Sequence, residues 1–213
     1  QMCIRDRDLG GRRSWNRFWL VDPLDGTKEF LGGTGEFTIN IALIEAHRPL
    51  LGVLYVPLEE TAFVGIPGLG AHRYRFRRPG EWDCMPLAAR PLAPGRDLTV
   101  LASRRHRNAH LDACLAWLRE HWGPLERLDS GSALKFCQLA AGEGDFYPRF
   151  SPCCEWDTAA GQALLEAAGG ALLGMDGLPL RYNCRDTLMS PHFYGFADAG
   201  HPLWSKLLDN QPF

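Results

Sequence analysis

The sequence predicts an α+β layered sandwich in which helices and sheets alternate as layers. Two observations carry that class. Residues 36 to 57 hold two apolar runs, the first alternating Phe37, Ile39, Ile41 and Leu43 with Thr38, Asn40 and Ala42, separated by Ala46-His47-Arg48-Pro49; that is the pattern of a hairpin. From Leu98 onward, short β-prone runs alternate with stretches of helical spacing, as helices packed on a sheet require. Composition sets the bound: 213 residues, 46% hydrophobic and 23% charged, can bury a sizeable core as one or two domains.

In chain order, residues 1 to 7 lack periodicity and read as a non-native start, outside the fold. Arg17 to Asp22 is a buried strand that delivers the turn Asp22-Pro23-Leu24-Asp25-Gly26-Thr27. Glu36 to Glu45 and Leu50 to Pro57 form the hairpin. Thr61 to Gly65 and Ala71 to Phe76 are shorter strands around the glycine-rich turn at 65 to 70, which precedes no helix and so is no nucleotide loop. The run His72 to Arg78 interleaves aromatic and basic residues; strand alternation explains it, with Tyr74 and Phe76 facing the core and Arg73, Arg75 and Arg77 facing solvent. Residues 79 to 97 are rich in Pro, Gly and polar residues and mark a boundary.

Beyond it, Leu98 to Ala102 is a strand, and Asn108 to His121 carries Leu111, Leu115 and Leu118 at helical spacing, stopped by Gly123-Pro124. Leu125 to Asp129 is a strand, Ser132 to Ala141 a helix, Asp145 to Tyr147 a strand, and Asp157 to Ala168 a helix that ends at Gly169-Gly170. A last helix follows His201.

A net charge of −2 and a pI near 6.4 exclude a surface built for nucleic-acid polymers, so phosphate recognition must be local. The seven cysteines, odd in number and without a C-x-x-C pair, suggest reduced thiols and a cytoplasmic location. Adjacent Cys153 and Cys154 read as packing residues. No run approaches the roughly 18 apolar residues of an integral membrane segment. No feature specifies an oligomeric state.

Chemistry concentrates at the 22 to 27 turn. Asp22 and Asp25 offer hard oxygens of the kind Mg²⁺ prefers, a turn carbonyl can add a third, and Gly26 with Thr27 lets backbone approach an anion. The same residues also suit an ordinary solvated turn. Asp157, at a helix start, is either a cap or a ligand, and Ser132 is either a plain cap or a substrate contact. His106 and His110 have the spacing of a zinc pair, but no third ligand follows and a helical surface explains them better.

Asp22-Pro23-Leu24-Asp25-Gly26-Thr27-Lys28-Glu29-Phe30, Gly35 to Leu43, Gly131 to Cys137, Tyr147-Pro148-Arg149-Phe150 and Trp156 to Gly161 closely resemble, in order, the bacterial 3'(2'),5'-bisphosphate nucleotidases of the CysQ type, within the inositol monophosphatase-like superfamily. The resemblance covers about residues 14 to 197. It implies the sugar-phosphatase version of the layered fold and Mg²⁺-dependent hydrolysis of the 3'-phosphate of adenosine 3',5'-bisphosphate to AMP and phosphate, clearing a by-product of sulfur assimilation, with sensitivity to lithium. It implies that Asp22 bridges metals, that the Leu24 carbonyl binds the first, that Asp25 and Asp157 hold the second, and that Thr27 orients the attacking water. It makes Asp25 and Thr27 catalytic and assigns Leu24, Asp25, Gly26, Thr27, Ser103, His106, Ser132, Lys135, Arg149 and Asp157 to the substrate, Lys135 and Arg149 to the phosphate that is not cleaved. Residues 8 to 90 then form a metal-binding half with an antiparallel sheet, and 91 to 213 a substrate-binding α/β half. Family members carry two helices and a Glu-Glu metal-ligand stretch before this point, so the chain is expected to lack the first helical layer and that Glu. Location in the cytoplasm, with room for peripheral contact with the inner membrane, completes the expectation. The alternatives are an inositol monophosphatase-like phosphomonoesterase and an inactive fragment that only binds nucleotide.

Overall fold

The computed structural model describes residues 2–3, 11–103 and 108–211. The first half folds into a sheet whose seven strands lie side by side in sequence order: β1 (Met2–Cys3), β2 (Arg17–Asp25), β3 (Thr38–Glu45), β4 (Arg48–Val56), β5 (Thr61–Ile66), β6 (Gly70–Arg78) and β7 (Glu81–Leu87), with the short helix α1 (Thr27–Leu31) between β2 and β3. Short connections force antiparallel neighbours from β2 to β7. The β3–β4 turn is made by Ala46 and His47 with φ of 48° and 68°, the left-handed pair that suits the twist of a two-residue hairpin. Met2 and Cys3, set aside from the fold at the sequence level, pair in parallel with Trp19 and Leu20. Two residues of backbone pairing leave no periodic trace.

A second sheet has the order β12-β14-β10-β8-β9. Its parts are β8 (Leu98–Ala102), α2 (Ala109–His121), β9 (Leu125–Asp129), α3 (Leu134–Ala140), β10 (Phe146–Arg149), β11 (Cys153–Cys154), α4 (Glu155–Ala167), β12 (Ala171–Gly174), β13 (Met189–Ser190), β14 (Phe193–Phe196) and α5 (Pro202–Asn210), β11 and β13 forming a separate two-stranded ribbon. β8 pairs in parallel with β9 and β10 because α2 and α3 supply the crossovers. As expected for a central parallel strand, all of β8 is buried.

The layers alternate. α3 and α4 lie between the sheets, with Phe136, Leu139, Ala160, Leu164 and Leu165 meeting Leu20, Ile44, Leu54 and Val56 on one side and Leu101, Tyr147 and Phe193 on the other. α2 and α5 cover the far face of the second sheet through Leu111, Leu115, Leu118, Leu203, Trp204 and Leu207, packed on Leu98, Val100, Phe146 and Phe196. This is the layered α+β sandwich expected. The outer face of the first sheet carries Trp19, Val21, Ile39, Ile41, Leu43, Val53, Tyr55 and Val64, all half-buried or exposed, and no helix of the described residues covers it.

Four readings are corrected. The 79 to 97 stretch holds a strand that the sequence reading did not name, β7, exposed along nearly its whole length, an edge strand that tolerates Pro86 and has no apolar alternation to read; the crossing between the sheets is confined to 88 to 97. Tyr74 and Phe76 do not face the core: Arg73 pairs with buried Phe63 and Ala71 is buried, so that side of β6 turns inward and the aromatic side turns outward. The helix expected from Ser132 begins at Leu134, and the one expected from Asp157 begins at Glu155.

Candidate active site

Asp22 and Asp25 are three residues apart, which in a regular strand puts them on opposite faces. A bulge between them adds one residue, so that Asp22 sits opposite Asn40 and Asp25 opposite Thr38, two positions apart on β3 and therefore on one face. Gly26 then turns left-handed at φ 85° to start α1; a Cβ there would lie 2.9 Å from the Glu36 carbonyl oxygen, so both backbone and space demand glycine. Inside the turn the Leu24 amide donates to Asp22 Oδ1 (3.1 Å) and the Thr27 hydroxyl to the Leu24 carbonyl (3.2 Å). Residues 22, 24, 25, 26 and 27 thus come together as one turn.

Asp157 arrives from the other half of the chain. It is the third residue of α4, not its N-cap: Cys154 takes that place, and Asp157 Oδ2 accepts from the Cys154 amide at 2.8 Å. One ligand atom from each of Asp22, Asp25 and Asp157 lies within 4.8 Å of the others. Burial first, then the charges of Asp25 and Asp22, push the Asp157 carboxyl up to about 7 against the opposing Cys154 amide. Three carboxylates held this close repel one another unless a cation sits among them, and hard oxygens are the donors a small divalent cation takes. The residues present fit such an ion.

A cavity opens beside the cluster, lined by Asp25, Gly26, Glu29, Ser103, Ser132, Lys135, Tyr147, Arg149, Cys153 and Asp157. The expected substrate residues Ser103, Ser132, Lys135 and Arg149 therefore converge on it. His106 lies outside the described residues; His110, exposed on α2, meets Phe150 and His192 edge-on. Arg149 donates to the Tyr147 hydroxyl (3.2 Å) and to the carbonyls of Ser151 and Pro152. Burial works against its charge, but Tyr147, Cys153 and Asp157 outweigh that and raise its pKa, so the guanidinium stays charged.

Ser132 and Lys135 differ from expectation. Ser132 is not the cap of α3; with φ of 49° it turns left-handed, donates to Asp25 Oδ2 at 2.5 Å, and lets the Ala133 amide donate to the same oxygen at 2.7 Å. Lys135 faces inward from α3 and is 1% exposed, its Nζ donating to the carbonyls of Ser130 (2.9 Å) and Ser132 (2.7 Å). Burial, then Arg149, lowers it to about 8. It lends the cavity floor a charge while its donors hold the loop.

Residues the sequence reading missed are Glu29, which lines the cavity, Glu36, whose Oε2 accepts from the Gly131 amide at 3.1 Å, and the buried pair Thr38 and Asn40. Glu29 and Glu36 had a signal, lying within the motifs around the turn.

The chain is 40% identical over 182 residues to the 3'(2'),5'-bisphosphate nucleotidase CysQ of Escherichia coli K12, covering 85% of this chain and 69% of that protein. It is 38% identical to the same-named protein of Buchnera aphidicola over 87% of this chain and 66% of that one. Among solved structures, CysQ from Bacteroides thetaiotaomicron, described as a bacterial member of the inositol monophosphatase family, superposes with a TM-score of 0.79 at 37% identity, over 92% of this chain and 75% of that one. The profile of the inositol monophosphatase family matches residues 5–204, and with its carboxylate turn, its distant third aspartate and its layered fold in place, the chain belongs to that family.

Proposed function

We propose that the chain is the catalytic body of a Mg²⁺-dependent phosphatase that hydrolyses the 3'-phosphate of adenosine 3',5'-bisphosphate, giving AMP and phosphate. The observation that carries the reading is the convergence of Asp22, Asp25 and Asp157 beside a cavity that also holds the charges of Arg149 and Lys135. A phosphomonoester repels an attacking water, and its transition state spreads charge over three oxygens. Asp22, Asp25, Asp157 and the Leu24 carbonyl would hold the divalent cation, which supplies positive charge that acidifies a coordinated water and neutralises the phosphoryl oxygens.

The chain's own residues do the rest. Thr27, fixed against the Leu24 carbonyl, presents its hydroxyl oxygen to orient the attacking water. The Gly26 turn and the start of α1 bring backbone amides toward the scissile group. Arg149 offers a planar fork to the 5'-phosphate, with Lys135 adding its charge from the floor; an inositol monophosphate, which has no second phosphate, would leave both cations without a counterpart. Ser103, which lines the cavity, would stand beside the nucleoside. The CysQ relatives, named 3'(2'),5'-bisphosphate nucleotidases, support the substrate. The enzyme is assigned to the cytoplasm, and no helix of the described residues is long and apolar enough to cross a membrane.

Phosphate release from adenosine 3',5'-bisphosphate and from inositol 1-phosphate, each with and without Mg²⁺, tests the proposal. Mg²⁺-dependent formation of AMP, faster than inositol release, is expected. Faster turnover of the inositol ester would overturn the substrate assignment, and Mg²⁺-independent release the cofactor assignment.

A further inference from the structure

Behind Asp25 a line of polar side chains leads away from the cavity into the sheet. Thr38 and Asn40, 0% and 1% exposed, stand opposite Asp25 and Asp22 on β3. The short contacts run from Asn40 Oδ1 to Thr38 Oγ1 (2.7 Å), from Thr38 Oγ1 to Ser132 Oγ (2.8 Å), and from Ser132 Oγ to Asp25 Oδ2 (2.5 Å); longer ones join Thr38 Oγ1 to Asp25 Oδ2 (3.5 Å) and Ser132 Oγ to the Asp25 carbonyl (3.2 Å).

Counting protons gives the line a direction. Two hydroxyls bring two protons to the three short contacts. With the Asn40 oxygen toward Thr38, the Thr38 proton goes to Asn40 and the Ser132 proton to Asp25, so the contact between the hydroxyls has none. Asn40 Nδ2 is meanwhile buried with no acceptor. Rotating the amide by half a turn exchanges its oxygen and nitrogen. Nδ2 then donates to Thr38, Thr38 to Ser132 and Ser132 to Asp25. Each of the three contacts now has one proton, directed toward the carboxylate. Left over are one amide N–H and the carbonyl oxygen, where before the rotation both amide N–H groups lacked an acceptor, and an unpaired carbonyl is the lesser penalty.

We infer that Asn40 and Thr38 are positioning residues for Asp25, forming a one-way relay of donors, Asn40 to Thr38 to Ser132 to Asp25, that fixes one carboxylate oxygen and leaves the other to ligate the cation. Oδ2 receives Ser132 and the Ala133 amide at short range and Thr38 at 3.5 Å, and Oδ1 remains for the cluster. Lys135 holds the Ser132 carbonyl in place, so the third member of the relay is anchored from behind. The relay rests on the reading that Asp22, Asp25 and Asp157 bind a divalent cation.

Calorimetric titration of the chain with Mg²⁺ alone, without substrate, tests it. Thr38→Val keeps shape and loses the hydroxyl; it is expected to weaken Mg²⁺ binding about tenfold or more, the usual cost of removing support behind a ligand. Thr38→Ser keeps the hydroxyl and should bind like the parent, and Asn40→Leu should bind more weakly than the parent. The double variant Thr38→Val with Asn40→Leu should bind no more weakly than Thr38→Val alone, because a relay cut at Thr38 has nothing left to lose at Asn40. Unchanged affinity in a folded Thr38→Val, or additive losses in the double variant, overturns the relay. Should Thr38→Val fail to fold by circular dichroism, Thr38→Ser and Asn40→Leu decide, and equal affinities for these two overturn it. A parent that binds no Mg²⁺ removes the metal reading and the relay together, whereas a parent that binds with variants that match it removes the relay alone.

Discussion

Two sheet glycines set where α4, and with it Asp157, can sit. Gly52 on β4 and Gly65 on β5 are register partners, and a Cβ on Gly52 would meet the Ala160 carbonyl oxygen at 2.3 Å, while one on Gly65 would meet the Leu164 Cα at 2.3 Å. Ala160 and Leu164 are one helical turn apart, so the helix lies directly on the glycine pair. Ordinary contact begins near 3.4 Å and the atoms met are backbone, so in Gly65→Ala no side chain can swing away and α4 must lift by about 1 Å. Overpacking of this kind costs about 1–3 kcal/mol, which for a chain of this length lowers the melting midpoint by roughly 2–12 °C. The shift also reaches the site, because Asp157 sits in the first turn of the same helix. Mg²⁺ holds its oxygens at about 2.0–2.1 Å with little tolerance, so a displacement near 1 Å should weaken its binding about tenfold or more. Melting followed by circular dichroism, with Mg²⁺ titration of the same sample, measures both. A Gly65→Ala variant with the parent's midpoint and affinity would refute the argument that backbone contact at this glycine positions the ligand.

Asp25→Asn should abolish Mg²⁺-dependent phosphate release while its far-ultraviolet circular dichroism stays native, since the amide keeps the oxygen that Ser132 and Ala133 contact but loses the charge; retained turnover would sink the ligand assignment. At Asp145, burial raises the carboxyl, but hydrogen bonds from Arg96 and Arg90 and from the Thr99 amide outweigh it and hold its pKa below the ordinary value. Its contribution to stability is therefore present above the unfolded pKa of about 3.9 and is lost as pH falls through the lower folded value, so acid melts of Asp145→Asn should fall less steeply below pH 4 than those of the parent; parallel curves would refute it. Asn108 caps α2 by accepting from the Leu111 amide at 2.9 Å, and Asn108→Ala should cost about 1 kcal/mol in urea unfolding.

How legible the site was depended on how each residue earns its place. Asp22 and Asp25 were readable because turn chemistry and ligand chemistry both mark them, but the bulge that puts them on one face is a property of pairing with β3 and has no local code. Asp157 could be tied to them only through the resemblance, since the chain between them is more than a hundred residues long. Thr38 and Asn40 were hidden by the alternation that revealed their strand: the period of two marks a strand without saying which face turns inward, and here the polar set with Ala42 and Ile44 is buried while Ile39, Ile41 and Leu43 are half-exposed. β12, β13 and β14 are too short for periodicity to register; they exist because β10 and the α4 end of the core offer them partners.

The stretch from 88 to 97 crosses from one sheet to the other, and it is tied down along its length. Arg90 and Arg96 both grip Asp145 with two hydrogen bonds each, the Ala89 amide donates to the Ala168 carbonyl, the Leu92 amide to Asp198, and the Trp122 indole to the Arg96 carbonyl. A crossing splinted at so many points cannot serve as a hinge. The aspartates of the first sheet and the arginine of the second are therefore held at a set spacing once the chain has folded, and any movement in binding must come from elsewhere than this crossing.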